Sequence, residues 1–216
     1  MATINLDDQT YLIGNIFCVA RNYVAHAKEM GSRILAEPVV FLKPTSAVLQ
    51  EGQVIHLPSW SNDVHHEAEL VVLVGAGGKN IQVADALQHV AGYALGLDLT
   101  ARDVQAEAKK AGMPWTLAKG FDGAAVLSRF VSAAAVPQPE AISFDFYIDD
   151  ERRQHAETRD MAFDVATLIA WISTRFTLHP GDLIYTGTPE GVGPIRAGER
   201  LRLVLGDLID SRFDVV

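Results

Sequence analysis

Short runs of apolar residues, many of them β-branched, recur along the chain with turn-forming residues between them. This pattern predicts strands at Ile13–Val19, Val39–Lys43, Val54–His56, His66–Val74, Tyr93–Asp98, Ser143–Ile148, Leu183–Thr186, Arg200–Leu205 and Leu208–Asp214. Helices are predicted at Asn22–Met30, Val83–His89, Ala101–Ala111 and Val165–Arg175. These helices are too few and too irregularly placed for an alternating parallel α/β sheet. We therefore expect a strand-rich α+β fold, built around a β-roll or β-sandwich.

Length and composition indicate one globular domain over residues 1–216. The net charge of −9 disfavours nucleic acid and anionic membranes as partners. Cys18 is the only cysteine, so the chain has no intrachain disulfide, and its apolar neighbours indicate a buried, inert thiol. Neither a signal peptide nor an apolar stretch of about 20 residues is evident, which predicts a cytoplasmic protein without membrane contacts.

Two glutamates lie at the start of an otherwise apolar predicted strand. Glu67 and Glu69 are two residues apart, so their side chains share one face of the strand, about 7 Å apart. Buried like charges repel each other and lose hydration, a cost that a divalent cation removes. A solvated strand end is the alternative explanation for these two residues.

A third acid, Asp98, ends another apolar predicted strand, just before a predicted helix that begins at Thr100-Ala101-Arg102-Asp103 in the manner of a capping box. Three carboxylates without histidine or cysteine specify a hard cation, Mg²⁺ or Mn²⁺, with Ca²⁺ as a further candidate and zinc disfavoured. Such a site leaves positions for water or a chelating substrate. The alternative for Asp98 is a simple helix cap.

A histidine, a carboxylate and a lysine are candidates for proton transfer and for stabilising negative charge. His26 and Glu29 are three residues apart on a predicted helix with Asn22 as its N-cap, so the carboxylate can orient the imidazole as a general base. Lys119 lies among apolar residues, where its ammonium could stabilise an enolate. A surface His/Glu pair and a snorkelling lysine are the alternatives.

Three further residues are candidate substrate contacts. Arg102 and Gln105 share one face of a predicted helix near its start. Thr188 lies in a loop rich in Gly and Pro after the strand at Leu183–Thr186, where backbone N–H groups and the hydroxyl are suited to a carboxylate. A solvated arginine and a plain connecting turn are the alternatives.

These segments together resemble the fumarylacetoacetate hydrolase family over nearly the whole chain. The matching stretches are Arg21-Asn22-Tyr23…His26…Glu29-Met30, Pro38–Pro44, His66–Leu70, Leu97–Gln105, Trp115–Lys119 and Tyr185–Pro189. The chain looks most similar to the short acylpyruvase and oxaloacetate decarboxylase members. The resemblance implies the mixed β-roll of the fumarylacetoacetase C-terminal domain, a homodimer, and Mg²⁺ or Mn²⁺.

Residue by residue, the resemblance implies that Glu67, Glu69 and Asp98 are the metal ligands and that His26 with Glu29 activates water on a small lid helix. It makes Lys119 the partner of the enolate, and Arg102, Gln105 and Thr188 substrate contacts. Longer members place a further acidic ligand shortly before the histidine and carry an extra N-terminal domain, whereas that stretch here reads Val19-Ala20-Arg21. A smaller, pyruvate-derived substrate is therefore expected.

The resulting hypothesis is metal-dependent hydrolysis of the C–C bond of an acylpyruvate, such as fumarylpyruvate or acetylpyruvate, to pyruvate and a carboxylic acid. Oxaloacetate decarboxylation and keto–enol tautomerisation use the same stabilised enolate and stay open as alternatives. Two non-enzymatic alternatives are a metal-dependent protein that only binds 2-oxo acids and a structural β-domain without metal.

Overall fold

Strands make up most of the regular structure in the computed structural model, which describes residues 2–29, 31 and 35–216. The strands are β1 (Thr3–Leu6), β2 (Gln9–Leu12), β3 (Ile16–Ala20), β4 (Val39–Lys43), β5 (Val48–Gln50), β6 (Val64–His66), β7 (Ala68–Val74), β8 (Val90–Asp98), β9 (Thr100–Ala101), β10 (Ala125–Leu127), β11 (Val131–Ser132), β12 (Ser143–Ile148), β13 (Glu151–Glu157), β14 (Leu183–Tyr185), β15 (Gly193–Pro194), β16 (Arg200–Leu205) and β17 (Ile209–Asp214). The α-helices are α1 (Val24–Glu29), α2 (Arg102–Ala111), α3 (Thr116–Lys119) and α4 (Val165–Arg175). Short 3₁₀-helices span Thr45–Ala47, Val83–His89, Ala133–Ala135, Pro139–Ala141 and Thr158–Asp160.

The largest sheet has the strand order β4-β3-β14-β7-β8-β10-β5, and β11 also pairs with β8. It is a mixed sheet, because β14 runs parallel to β3 and β10 runs parallel to β5, while the other pairs are antiparallel. The fold also contains a four-stranded antiparallel sheet, with the order β13-β12-β16-β17, and two smaller sheets. The predicted strand-rich α+β fold with a mixed sheet is confirmed.

The central strand β7 is buried along its whole length, which matches its almost uninterrupted apolar sequence. Its neighbour β8 approaches closely, with Gly96 opposite Glu69. A Cβ atom at Gly96 would lie 2.7 Å from the Tyr185 ring, so the ring occupies the space that a larger residue would need. The Tyr185 hydroxyl in turn donates to the Val126 carbonyl at 2.9 Å. The ends of β7 and β8 are therefore fixed by a rigid core.

Several predicted strands agree closely with the structure, but the prediction at Val54–His56 is wrong. Ile55 forms only an isolated bridge with Val215, and the strand nearby is β5 (Val48–Gln50). The predicted strand at His66–Val74 is interrupted at Glu67, which separates β6 from β7. Charged β13 was missed because most of its side chains face solvent, which hides the apolar alternation of a strand.

The helix predictions hold for α2 and α4, with two differences elsewhere. Val83–His89 is a 3₁₀-helix, and the first helix begins at Val24, while the predicted end at Met30 lies outside the described residues. Asn22 is not its N-cap: the amide is buried and bonds to the backbone of Phe163 and Thr186. Asn22 therefore ties the start of α1 to the end of β14.

The described residues include no helix with the length and apolar character that a membrane crossing requires. Cys18 is buried and unpaired with another cysteine, as the sequence predicts for the thiol.

Candidate metal and substrate site

The structure brings the three predicted metal ligands together. Glu67 lies between β6 and β7, Glu69 is on β7, and Asp98 ends β8. All three are buried, and each offers a carboxylate oxygen within 4.8 Å of the others. The Asp98 N–H donates to the Glu67 carbonyl at 2.8 Å, so backbone pairing fixes the distance between the two strand ends. Sequence positions almost 30 residues apart therefore form one acidic cluster.

Three cations surround two of the three carboxylates. Lys119 Nζ lies 2.7 Å from Glu67 Oε2 and 2.6 Å from Asp98 Oδ2. Arg102 Nη2 lies 2.7 Å from Glu67 Oε1, and the buried Lys43 Nζ lies 2.7 Å from Asp98 Oδ1. Lys43 also donates to the carbonyl oxygens of Leu99 and Lys119, so it holds the backbone of the second lysine. Lys119 is buried, which excludes the snorkelling surface lysine that the sequence left open as an alternative.

Glu69 differs from the other two acids because, among the described residues, it forms no salt bridge. Its Oε2 accepts a hydrogen bond of 2.7 Å from the Gly187 N–H. Burial, followed by the charges of Asp98 and Glu67, holds the pKa of Glu69 well above its usual range. The cations of the site therefore do not fully offset the negative charge of the Glu69 carboxylate.

The charges of Glu67 and Lys119 stabilise each other. Burial alone would raise the pKa of Glu67, but Lys119 and Arg102 outweigh burial and hold the pKa well below its usual range. Burial alone would lower the pKa of Lys119, but Asp98 and Glu67 raise this pKa above its usual range. Lys119 therefore stays an ammonium and Glu67 a carboxylate over the physiological pH range.

A hard divalent cation fits this donor set. The cluster offers oxygen donors only, the set that Mg²⁺ and Mn²⁺ prefer. Asp98 Oδ1 is buried and, although Lys43 is near, no described residue donates a well-angled hydrogen bond to it. This oxygen and the Glu69 carboxylate are the groups of the cluster that a bound divalent cation would contact without displacing a hydrogen bond from a side chain.

The predicted His/Glu pair forms at the edge of the same cavity. His26 Nδ1 lies 3.3 Å from Glu29 Oε2, and the imidazole is largely buried. The Glu29 carboxylate is itself fixed by the Gly191 N–H, at 3.1 and 3.2 Å from its two oxygens. With Nδ1 directed to the carboxylate, Nε2 is the nitrogen left for proton transfer. His26 lines the cavity that also contains Glu67, Glu69 and Asp98.

The three predicted substrate contacts also line this cavity. Arg102 Nη1 donates to Gln105 Oε1 at 2.9 Å, so the shared helix face predicted for them is confirmed. The Thr188 hydroxyl donates to the Ala68 carbonyl at 2.9 Å and accepts from Gln154 Nε2 at 2.9 Å. The Thr188 hydroxyl hydrogen is therefore engaged by the Ala68 carbonyl. Toward a ligand, the Thr188 oxygen can accept a hydrogen bond but cannot donate one, as the sequence had suggested it would.

The loop after β14 supports the site differently from the sequence expectation. Its N–H groups at Gly187 and Gly191 donate to Glu69 and Glu29 and not outward to a ligand. The buried Gln154 amide bonds to Thr188 and to the Pro189 carbonyl, which fixes the loop on β13. The loop therefore positions two carboxylates of the candidate site.

Sequence reasoning missed several residues that line the cavity or hold its acids. Lys43 contacts Asp98, while Arg21, Phe41, Lys109 and Trp115 line the cavity. One signal was available for Lys109: with Arg102 and Gln105 it follows the spacing i, i+3, i+7 along one helix face. The capping box expected at Thr100 is absent, because its hydroxyl donates to the Asp98 carbonyl and the N-cap of α2 is Ala101.

We expect Gly187→Ala to weaken both folding and cation binding. Gly187 has φ of +100°, and a Cβ atom there would lie 2.7 Å from the Asn22 Cβ, so the loop must move and take its N–H away from Glu69. The expected cost is about 1–3 kcal/mol of stability, with Mn²⁺ affinity about tenfold weaker. Thermal unfolding and Mn²⁺ titration calorimetry measure both.

Gly198→Ala is the matched control for Gly187→Ala. Its φ of +94° brings the same backbone strain, but among the described residues beyond its two chain neighbours no heavy atom lies within 4 Å of the added Cβ. Equal losses of Mn²⁺ affinity in the two variants would contradict a role for the Gly187 N–H in the site.

We expect Lys119→Met to make the protein depend more strongly on a divalent cation for stability. Removing this ammonium leaves Glu67 Oε2 and Asp98 Oδ2 buried without their shared donor, at a cost of about 3–5 kcal/mol without metal. Thermal unfolding with and without Mn²⁺ should show a larger increase in Tm than in the wild type. The exposed Lys110→Met is the control, and a shift no larger than the wild-type one contradicts the expectation.

A mixed, curled sheet that carries three buried acids on adjacent strands defines a class of protein: strand-rich α+β domains built around a candidate divalent-cation site. The family model for the C-terminal domain of fumarylacetoacetate (FAA) hydrolase matches residues 15–216. The chain belongs to the fumarylacetoacetate hydrolase family, as the sequence resemblance predicts.

Curated relatives and solved structures cover almost the whole chain. The mitochondrial oxaloacetate tautomerase FAHD1 of Mus musculus is 46% identical over 201 residues, which cover 93% of this chain and 91% of that protein. The Arabidopsis thaliana protein of the same name is 44% identical over 200 residues, covering 93% and 90%. The crystal structure of fumarylpyruvate hydrolase from Pseudomonas aeruginosa in complex with Mn²⁺ and pyruvate has a TM-score of 0.93 and 37% identity, covering 100% and 95%.

Proposed function

We propose that the protein is a divalent-metal-dependent enzyme that interconverts the keto and enol forms of a small 2-oxo acid, with oxaloacetate as the first candidate. The observation that carries the proposal is one cavity shared by the carboxylate cluster, the His26 imidazole and the Lys119 ammonium. The resemblance to oxaloacetate tautomerases at 46% and 44% identity favours tautomerisation among the reactions that pass through an enolate.

In this proposal, Glu67, Glu69 and Asp98 hold Mg²⁺ or Mn²⁺, and Ca²⁺ is a weaker candidate. When bound, the cation withdraws electron density from a 2-oxo group and thereby favours an enolate. The Mn²⁺ in the Pseudomonas aeruginosa structure supports a divalent cation at such a site. The choice between Mg²⁺ and Mn²⁺ is a matter for binding measurements.

The proton moves through His26. Its Nε2 takes the proton from the carbon beside the oxo group and passes a proton to the enolate oxygen to give the enol. In the reverse direction it takes the enol O–H proton and delivers a proton to the carbon, so one base serves both directions. Glu29 at Nδ1 keeps the imidazole in the tautomer with a free Nε2 and stabilises the protonated ring. Burial of His26 limits exchange of this proton with bulk water.

Charge on the substrate is compensated by the cations of the cavity. Lys119 remains protonated and donates to the oxygen on which enolate charge develops. Arg102 and Gln105 bind the carboxylate beside the oxo group, and the Thr188 oxygen accepts a hydrogen bond from the enol form. The Phe41 and Trp115 side chains form the apolar wall of the cavity.

Hydrolysis of acylpyruvates, the reaction first expected from the sequence, is the second candidate. The structural similarity to fumarylpyruvate hydrolase, with a TM-score of 0.93, favours it. In this reaction, His26 removes a proton from water, which attacks the distal carbonyl, and the departing pyruvate enolate is held by Lys119. Decarboxylation of oxaloacetate needs no attacking water and is a third outcome of the same assays.

The test compares substrates and cations on the purified protein. Enol-oxaloacetate is supplied with malate dehydrogenase, which consumes only the keto form, and acetylpyruvate and fumarylpyruvate are followed by ultraviolet absorbance. Each assay is run with Mg²⁺, with Mn²⁺ and with a chelator. We expect metal-dependent acceleration of enol-to-keto conversion, with slower or no cleavage of the acylpyruvates.

Other outcomes separate the alternatives. Faster cleavage of an acylpyruvate than tautomerisation would make the protein a hydrolase, and pyruvate formation from oxaloacetate would make it a decarboxylase. Binding of pyruvate without turnover of any 2-oxo acid would support the ligand-binding alternative. Absence of Mg²⁺ and Mn²⁺ uptake would support the structural β-domain.

Three organisational predictions accompany the proposal. We propose a single domain over residues 1–216, a homodimer and a cytoplasmic location. Exposed apolar side chains at Leu42, Met113, Leu117 and Phe176 support self-association, which sedimentation velocity tests directly. The similar mouse and Arabidopsis proteins are mitochondrial, so fluorescence localisation is the test of the cytoplasmic location.

A further inference from the structure

Two cations line the cavity but form no ion pair with the acidic cluster. Arg21 and Lys109 are lining residues, yet neither forms a salt bridge with a carboxylate in the part of the chain that the structure describes. The other cavity cations, Arg102 and Lys119, are paired with Glu67. Arg21 and Lys109 are therefore the cations of this cavity that have no carboxylate partner among the described residues.

Lys109 lies further out along the cavity than Arg102. Both are on α2, seven residues apart, so about 10 Å of helix separates their backbones. Helical side chains lean toward the N-terminus, which brings the Lys109 ammonium back toward Arg102 and Glu67. Its Nζ lies 5.5 Å from the centre of the Trp115 ring, which limits its freedom. The exposure of Lys109 and the burial of Glu67 place the lysine at the open end.

Arg21 reaches the cavity from a strained position in the backbone. Its φ of +60° lies in the left-handed region, which a non-glycine residue adopts only at a cost. The next residue, Asn22, is anchored by three buried hydrogen bonds, so this conformation is imposed by the surrounding structure. The surrounding structure thus holds Arg21 at the cavity. Backbone strain of this kind is typical of functional positions.

The charges nearest to Lys109 are mostly positive. Although Lys109 is exposed overall, partial loss of hydration, followed by the charges of Arg102 and Arg21, lowers the pKa of Lys109. Glu67 opposes this effect, but it is already paired with Arg102 and Lys119. A bound carboxylate would relieve the repulsion between these cations.

We propose that Lys109, together with Arg21, binds a second carboxylate of the substrate, so that the site selects 2-oxo dicarboxylic acids over 2-oxo monocarboxylic acids. The inference rests on the proposed function, because that function places the first carboxylate and the oxo group beside the acidic cluster. The second carboxylate then extends toward the open end of the cavity. Specificity for the substrate thus comes from a residue that does not contact the reacting atoms.

The test uses two probes that differ only in the distal group, 2-oxoglutarate and 2-oxopentanoate. Their dissociation constants on the Mn²⁺-loaded protein are measured by calorimetry. We expect the wild type to bind 2-oxoglutarate about tenfold more tightly, because the charge-assisted contact is made only by the dicarboxylate. Lys109→Met should reduce this ratio to about two, and Lys109→Arg should largely restore it.

Lys110→Met is the matched control, because Lys110 is the exposed neighbour on the same helix and does not line the cavity. Arg21→Gln keeps a long side chain but removes its charge. It should lower the ratio of the two dissociation constants by a smaller factor than Lys109→Met does. An unchanged ratio in Lys109→Met shows that Lys109 only packs on Trp115 and overturns the inference.

The remaining outcomes separate this inference from the proposed function. Equal affinity of the wild type for the two probes overturns the role of Lys109 and leaves the 2-oxo acid site in place. Failure of both probes to bind overturns the proposed function, and the inference with it.

Discussion

Glu69→Gln is expected to lower the affinity for Mn²⁺ by at least about a hundredfold and to reduce activity to the level measured with a chelator. Glu69 is the acid of the cluster whose charge is least compensated, since from the described residues it accepts only the Gly187 N–H and its pKa is held well above its usual range. Replacing it with an uncharged side chain of the same shape removes one of the three anionic oxygen donors that we propose for the divalent cation. Titration calorimetry with Mn²⁺ measures the loss.

The same substitution should raise the stability of the metal-free protein, although it lowers the affinity for Mn²⁺. A neutral amide at position 69 ends the repulsion with Glu67 and Asp98, so the metal-free variant should be more stable than the wild type by about 1 kcal/mol. Glu107→Gln, an exposed position on α2, is the control for the change of charge. A less stable metal-free variant with unchanged Mn²⁺ affinity would indicate a purely structural glutamate.

His26→Ala is expected to lower kcat by about 10²–10⁴, the usual contribution of a general base, while the affinity for Mn²⁺ changes less than twofold. The imidazole is paired with Glu29 and is not one of the three clustered acids, so its removal affects proton transfer and leaves the cation ligands in place. The kcat for enol-oxaloacetate and Mn²⁺ titration calorimetry are measured on the same preparation.

Two companions make the His26 prediction specific. Glu29→Gln should lower kcat by a smaller factor, because the ring keeps its nitrogen but loses the carboxylate that orients it. His56→Ala is the control, since His56 is exposed and away from the cavity. Equal loss of kcat and Mn²⁺ affinity in His26→Ala would show that the histidine supports the cluster and is not the base.

Much of the candidate site could be predicted from the sequence because its residues stand out in short local patterns. Glu67 and Glu69 stand out in an apolar strand, and Asp98 stands out at the end of another, so burial of like charges could be inferred without coordinates. His26 and Glu29 are neighbours through helical spacing alone. The family resemblance then supplied the convergence of these segments, which no local pattern determines.

The residues that sequence reasoning missed act across long separations. Lys43 reaches Asp98 from 55 residues away although three strands separate β4 from β8 in the sheet, and nothing in its own segment indicates that contact. The missed strand β5 likewise depends on its parallel pairing with β10. Thr188 was expected to donate to a ligand, but its hydroxyl is directed to Ala68 on β7, a partner that only the folded chain defines.

An anomalous difference map from crystals grown with Mn²⁺ tests the central claim most directly. We expect one peak per chain, within about 2.5 Å of carboxylate oxygens from Glu67, Glu69 and Asp98, because only oxygen donors converge there. Crystals of Glu69→Gln grown in the same solution should lack that peak. A peak elsewhere on the chain, or none in the wild type at saturating Mn²⁺, would show that these three acids do not form a metal site.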